Sequence, residues 1–335
     1  MVRNNALTAD DLLGAYVALA TPLRDFRSHE RPEIDYVVVD RLVSHILDSP
    51  VRGLIVCATT GLDSFLTNDQ RVELTRYVQN NYGKRTRVIA ADGNSATWKS
   101  VELANRMENE AGVFTHLSIS PSYVKPNDDG IITHYETLAK NLSGSIILYS
   151  NPSRTGGRGI TPEVFEHLST FSSIIGIKSC NSMESTQEMI LRRRGRNCAV
   201  LAGNDPEAIP IICSGGAGLI SSLGNVFPEI TGAIVELTLA GDSSNATRYH
   251  QELVPFYSAL SPFSKEANTT PLPNLIYYAL SQMGFGSMNL PSPLNPGDTF
   301  EHELVQGAMR HLDTTSSILK EFRRGVRINS DSRKN

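Results

Sequence analysis

The chain of 335 residues lacks the features that would indicate a membrane or a nucleic acid as its partner. No apolar run approaches the roughly 20 residues of a membrane span, and Met1–Asp11 lacks the apolar core of a signal peptide. Acidic residues (35) outnumber Lys and Arg (31), so there is no basic excess for phosphate neutralisation. The dense basic run Arg192–Arg196 is interpreted as a solvated helix end. We expect a cytoplasmic protein with neither a membrane nor a nucleic-acid partner.

Cysteine is also scarce, with four residues at Cys57, Cys180, Cys198 and Cys213. Their spacing contains no CxxC pair and no zinc-ligand pattern. Each lies in an apolar run, which predicts reduced, buried core residues. The sequence therefore predicts no disulfide framework, no metal site and no cofactor.

Eight short apolar runs recur along the chain and predict strands buried on both faces. Amphipathic segments separate them, such as Ile34–Leu47 and Asn68–Asn80, the second with Thr67 as its N-cap. This alternation predicts parallel strands, and eight units favour a closed (β/α)8 TIM barrel over a doubly wound sheet. The runs are 14–23, 52–60, 87–93, 115–121, 144–152, 174–180, 198–205 and 217–225; further helical segments are 130–141, 162–171 and 228–239.

The strand signal stops after Gly241. The sequence predicts an N-terminal extension (1–13), the barrel (14–241), a small C-terminal helical region (242–326) and a disordered tail (327–335). Within the third part, residues 248–260, 272–282 and 301–322 have helical patterns.

Lys178 is the most informative candidate for chemistry, because active sites of such barrels lie at the carboxyl ends of the strands. Burial in the run IIGIKSC disfavours an ammonium and favours the neutral amine that attacks a carbonyl. The alternative is a structural lysine paired with a carboxylate. No acid lies on the neighbouring run 144–152, and Asp205 is the nearest candidate. The pattern favours a Schiff-base lysine.

Three other strand ends carry suitable side chains. Tyr149 can transfer protons beside Lys178, although alone it would be interpreted as a core tyrosine. Thr59 and Thr60 offer hydroxyls and backbone amides to a carboxylate or a proton relay. Arg154 follows a proline turn and can clamp a second carboxylate, the alternative being a surface charge.

Taken together, these positions resemble the pyruvate-dependent class I aldolase superfamily of dihydrodipicolinate synthase and N-acetylneuraminate lyase. The matching segments are Ala20–Pro22, Thr59–Gly61, Gly93–Ser95, Pro121–Tyr123, Tyr149–Gly156, Gly176–Lys178, Leu201–Asp205, Thr270–Pro273 and Asn289–Leu294. The string Tyr-x-x-Pro-x-Arg-Thr-Gly followed by Gly-Ile-Lys is most similar to the dihydrodipicolinate synthase branch.

The resemblance implies four catalytic residues. Lys178 would form an imine with pyruvate. Tyr149, Thr59 and Tyr123 would relay protons, with Tyr123 reaching into the site of a neighbouring subunit. A homo-oligomer, a dimer or a tetramer, is therefore expected.

The resemblance also implies a substrate-binding set of Thr60, Arg154, Ile220 and Gly203. Thr60 would hold the pyruvate carboxylate with Thr59, and Arg154 would bind the aldehyde. Backbone near Ile220 would line the pocket. The leading function is 4-hydroxy-tetrahydrodipicolinate synthase acting on pyruvate and L-aspartate semialdehyde.

Three departures from the family pattern keep the aldehyde open. Leu62 replaces the glutamate of Gly-Thr-Thr-Gly-Glu, Ser122 replaces a tyrosine, and Trp98 stands where lysine-inhibited members place an acid. These residues fit a lysine-insensitive synthase, or an aldolase or dehydratase acting on sugar acids or aromatic aldehydes. A non-enzymatic ligand-binding member is the third hypothesis.

Overall fold

Eight parallel strands close into a barrel in chain order, with β8 pairing back to β1. The structure is a computed structural model that describes residues 6–26, 30–260, 273–287 and 290–323. The strands are β1 (Gly14–Ala18), β2 (Gly53–Val56), β3 (Arg87–Ala91), β4 (Thr115–Ile119), β5 (Ser145–Ser150), β6 (Ile174–Ser179), β7 (Ala199–Ala202) and β8 (Gly218–Ser221). The predicted (β/α)8 fold is confirmed.

The strands are shorter than the apolar runs that predicted them. After β2 the chain turns into a 3₁₀ helix at Thr59–Gly61, and after β8 into another at Leu223–Asn225. Most residues in these turns remain buried. Hydrophobicity therefore continues past the point where sheet pairing stops.

Helices surround the barrel on its outer face. They are α1 (Tyr36–Leu47), α2 (Asn68–Tyr82), α3 (Thr97–Ala111), α4 (Asp128–Asn141), α5 (Pro162–Leu168), α6 (Met183–Arg192), α7 (Ala208–Cys213) and α8 (Pro228–Leu239). Thr67 caps α2 in a capping box with Gln70, as predicted for this N-cap. Helices α3, α6 and α7 were covered by no predicted segment; α6 and α7 have ten and six residues, so their periodic signal is short.

A C-terminal group of helices packs beside α8 and extends the barrel. It consists of α9 (Ser243–Leu260), α10 (Asn274–Gln282), α11 (Thr299–Thr315) and α12 (Ser317–Arg323). The tail predicted at 327–335 lies outside the described residues. In the described part of the chain, no helix is long and apolar enough to cross a bilayer.

The expectation that all four cysteines are buried was wrong for two of them. Cys213 is exposed at the end of α7, and Cys180 is only partly buried because it borders a cavity, whereas Cys57 and Cys198 are buried as predicted. The basic run that begins at Arg192 lies at the end of α6, as predicted, and Arg192 is partly exposed. It forms ion pairs with carboxylates of α5 and of its own helix, Glu163, Glu166 and Glu188.

Candidate active site

A cavity of about 640 Å³ opens at the carboxyl end of the barrel, where the strand-to-helix loops meet. Loops after β2, β5, β6, β7 and β8 contribute to it, and so does the end of α9. Its lining residues are Thr59, Thr60, Tyr149, Asn151, Pro152, Ser153, Arg154, Lys178, Cys180, Gly203, Asn204, Asp205, Pro206, Glu207, Ser222, Leu223, Tyr257, Leu260 and Pro273.

The side chain of Lys178 enters this cavity because of an irregularity in β6. Ile174 and Ile177 both pack in the outer core between sheet and helices, whereas Ile175 packs in the barrel interior. The β5–β6 register shifts at this point, so that Ile175 is an extra residue. The shift gives Ile175 and Lys178 the same inward side. Lys178 is only 4% exposed, and no described carboxylate forms an ion pair with it.

Tyr149 lies directly opposite Lys178 in the register of β5 and β6. The Lys178 Nζ atom is 4.6 Å from the centre of the Tyr149 ring. The Asn151 side-chain amide donates a hydrogen bond of 2.9 Å to the Tyr149 hydroxyl. This bond occupies an acceptor position of the phenol, and the same hydroxyl also interacts with the Cys180 thiol.

A polar network fixes the wall on the other side of Lys178. Thr60 Oγ1 is 2.8 Å from Ser222 Oγ. The Ser222 amide and the Ser221 hydroxyl both donate hydrogen bonds to the buried carboxylate of Asp205. Burial raises the pKa of Asp205, and these bonds, together with the charge of Lys178, act against that rise. The network joins the ends of β2, β7 and β8.

A tyrosine from the C-terminal helices supports the same wall. The hydroxyl of Tyr277 in α10 accepts a hydrogen bond of 2.8 Å from the Thr21 amide. The same hydroxyl lies 3.0 Å from the Thr60 carbonyl, to which it donates. Tyr277 is buried, so these bonds are shielded from water. The C-terminal region thus holds the turn at Thr59–Gly61 in place.

The structure brings six of the eight predicted site residues to one cavity. They are Lys178, Tyr149, Thr59, Thr60, Arg154 and Gly203. Ile220 is absent from the lining and packs fully buried in the barrel interior. Tyr123 lies in the loop after β4, is 91% exposed and has a positive φ of 72°. It is not among the residues that line the cavity of its own barrel.

Sequence reasoning missed several lining residues. Cys180 lies two positions after Lys178, and Glu207 two positions after Asp205. Both could have been found by including the residues that directly follow each strand end. Asn204 was noted only as part of a motif. Tyr257 belongs to α9, and an inspection of strand ends could not have found it.

Comparison with known proteins assigns the chain to a family. The model of the dihydrodipicolinate synthetase family matches residues 11–312. The chain belongs to the dihydrodipicolinate synthetase family. Membership makes it an enzyme, an aldolase-type lyase, as the resemblance implied.

Individual members of the dihydrodipicolinate synthetase family match over most of both chains. The 4-hydroxy-tetrahydrodipicolinate synthase of Kosmotoga olearia is 34% identical over 300 residues, 89% of this chain and 97% of the relative. That of Haloarcula marismortui is 34% identical over 86% of this chain and 90% of its own length. The dihydrodipicolinate synthase structure from Thermotoga maritima superposes with a TM-score of 0.80 at 27% identity, covering 89% of this chain and 97% of the other.

Proposed function

We propose that the protein condenses pyruvate with L-aspartate semialdehyde through a Schiff base on Lys178, as a 4-hydroxy-tetrahydrodipicolinate synthase. The observation that carries the proposal is the Lys178 amine, buried at the cavity floor without an ion pair to any described carboxylate and against the Tyr149 ring. A lysine amine that no carboxylate holds is available to attack a carbonyl. The relatives named for this reaction support the choice of substrates.

The first half of the reaction activates pyruvate. The Lys178 amine adds to the ketone carbon, water leaves, and an imine forms. Loss of a methyl proton then gives an enamine. Tyr149 stands beside the amine and can carry protons to and from the departing oxygen and the methyl carbon, with Thr59 as a second relay. Thr60, fixed by Ser222, holds the pyruvate carboxylate in this scheme.

The second half joins the two substrates. The enamine carbon attacks the aldehyde carbon, a new carbon–carbon bond forms, and the aldehyde oxygen takes up a proton. The ammonium group of the acceptor loses a proton to water, and the resulting amine displaces Lys178 from the imine carbon and closes the ring. Arg154, at the rim of the cavity, binds the acceptor carboxylate. Gly203 lines the wall next to Lys178, where a larger residue would overlap Cys180.

Trapping tests the proposed intermediate. Sodium borohydride is added in the presence of pyruvate, and the protein is digested and analysed by mass spectrometry. We expect a reduced pyruvyl adduct on Lys178 and none on Lys140, an exposed lysine of α4 paired with Glu136. Lys178→Ala should lose both the adduct and turnover. Absence of the adduct from wild-type protein would refute the proposal.

An acceptor panel tests the substrate. The second candidate, an aldolase or dehydratase acting on another aldehyde, is favoured by Leu62, which is buried where the family pattern has a charged glutamate. We expect aspartate semialdehyde to give the highest kcat/KM with pyruvate. Preference for sugar-acid or aromatic aldehydes would favour the second candidate. Pyruvate binding without turnover of any acceptor would favour a ligand-binding protein.

We also propose a homo-oligomer in which Tyr123 reaches the site of a second copy. Tyr123 and its neighbour Val124 are exposed apolar side chains, 91% and 61%, and a partner would cover them. Sedimentation velocity should show a dimer or tetramer, and Tyr123→Phe should lower kcat without changing the oligomer. A fully active monomer would refute this role.

A further inference from the structure

Glu207 is a charged cavity residue that the mechanism above does not use. It ends the 3₁₀ turn Asp205–Glu207 after β7 and lines the cavity with Lys178. Its Oε2 atom accepts a hydrogen bond of 3.1 Å from the Asn204 side chain. Among the described residues, no lysine, arginine or histidine forms an ion pair with it. The carboxylate is thus oriented but not neutralised.

The surroundings of Glu207 make this arrangement costly without a ligand. The residue is half-buried, and burial raises the pKa of its carboxyl while the bond from Asn204 lowers it. A carboxylate that is partly removed from water without a cation loses solvation that a single hydrogen bond replaces only in part. A ligand carrying a positive charge would restore the lost interaction.

The barrel order places Glu207 and Arg154 on opposite sides of the reacting amine. Strands β5, β6 and β7 are consecutive neighbours. Arg154 follows β5, Lys178 is in β6, and Glu207 follows β7; all three line one cavity. A molecule bound above Lys178 therefore meets a cation on one side and an anion on the other. This charge pattern fits a zwitterion.

We propose that Glu207 binds the ammonium group of the acceptor, so that the site selects aldehydes bearing both an amino group and a carboxylate. The assignment rests on the proposed function, in which the acceptor is attacked by a pyruvate enamine on Lys178. Arg154 receives the carboxylate of the acceptor and Glu207 its ammonium. Asn204 is the positioning residue that aims the Glu207 carboxylate into the cavity.

A hydroxylated acceptor is the competing explanation, because a carboxylate also accepts hydrogen bonds from hydroxyl groups. Charge separates the two possibilities. Glutamine keeps an oxygen acceptor of the same shape and loses the negative charge. Glu207→Gln should therefore impair recognition of an ammonium much more than recognition of a hydroxyl.

The experiment compares two acceptors that differ only in the amino group, L-aspartate semialdehyde and succinate semialdehyde. With the second, water hydrolyses the imine and releases the product from Lys178 in place of the missing amino group. For Glu207→Gln we expect kcat/KM with aspartate semialdehyde to fall by about tenfold or more, the loss of one charge-assisted contact. With succinate semialdehyde it should stay the same or rise. Glu102→Gln, which removes an exposed carboxylate from α3, should leave both values unchanged.

Borohydride trapping with pyruvate keeps this test separate from the test of the function. Glu207→Gln should form the Lys178 adduct as wild type does, which also shows that its site is folded. With the adduct intact, an unchanged ratio between the two acceptors would overturn the assignment of Glu207, and so would a wild-type preference for hydroxylated aldehydes. A wild type without the adduct would instead refute the proposed function.

Discussion

Replacing Tyr277 by phenylalanine tests whether the C-terminal helices hold the active-site turn. The change removes one oxygen atom and keeps the ring. Three backbone groups lose their partner, the Thr21 amide at 2.8 Å and the carbonyls of Thr60 at 3.0 Å and Thr21 at 3.3 Å. The hydroxyl is buried, and its bonds span more than 200 positions of sequence.

The expected loss of stability follows from the groups left behind. A buried donor without a partner costs about 1–3 kcal/mol. For a chain of 335 residues, this corresponds to a decrease in Tm of about 1–4 °C. Release of the Thr60 carbonyl also loosens the turn to which the proposed function assigns the pyruvate carboxylate. We therefore expect KM for pyruvate to rise by roughly two- to tenfold, with little change in kcat.

The neighbouring Tyr278 provides a matched control. Its hydroxyl accepts a hydrogen bond from Gln306, a side chain on α11 that lies nearer the surface. Tyr278→Phe should decrease Tm less than Tyr277→Phe and leave KM for pyruvate unchanged. Calorimetry and initial-rate kinetics measure both quantities. If Tyr277→Phe has the Tm and the KM of wild type, the Tyr277 hydroxyl does not hold the turn at Thr59–Gly61, and the prediction is refuted.

Three further predictions concern the barrel wall and the outer helices. Glu108 accepts hydrogen bonds from His116 and two loop residues. Burial raises the pKa of Glu108, but the hydrogen bonds lower it by more, to about 2. Glu108→Gln should cost about 1–3 kcal/mol above pH 4.5, a difference that disappears as the pH falls towards 2; urea unfolding at several pH values measures it. Gly203→Ala would overlap the Cys180 sulfur and should lower kcat about tenfold or more, with partial rescue by Cys180→Ala. Gly307→Ala in α11 meets no atom within 4 Å and should add about 0.5–1 kcal/mol to stability.

Each of these predictions can fail in a specific way. A constant difference between Glu108→Gln and wild type from pH 7 to pH 2 would contradict the lowered pKa of Glu108. Wild-type kinetics for Gly203→Ala would show that the residues around Cys180 can move to accept the new methyl group without displacing Lys178. A lower Tm for Gly307→Ala would mean that this face of α11 is packed more tightly than its empty surroundings indicate.

A large part of the fold and the first candidate residue could be predicted from short stretches of sequence. Strands buried on both faces are continuous apolar runs, so eight of them could be found without knowledge of their pairing. A lysine inside such a run is conspicuous for the same reason. Lys178 and its neighbour Tyr149 were therefore predictable from two short segments, and the register places them side by side.

Other features depend on atoms that are distant in sequence. The ends of the strands could not be predicted, because residues after β2 and β8 remain buried while leaving the sheet. The direction of Lys178 depends on an extra residue in β6, which hydrophobicity does not reveal. The resemblance implied that backbone near Ile220 lines the pocket; the Ile220 side chain packs in the barrel interior, and Ser222 and Leu223 just after it line the cavity.

The sequence by itself determined the eight strands, their order, most of the helices, the barrel and the lysine, because each of these leaves a periodic or compositional trace within a few residues. Only the tertiary structure decided which side chains share the cavity. Closure of β8 onto β1 brings loops from five strands and the end of α9 together. It places Arg154 and Glu207 on either side of Lys178, and Tyr277 beneath Thr60. Which side chains lie together depends on the path of the whole chain, and no short stretch of sequence predicts it.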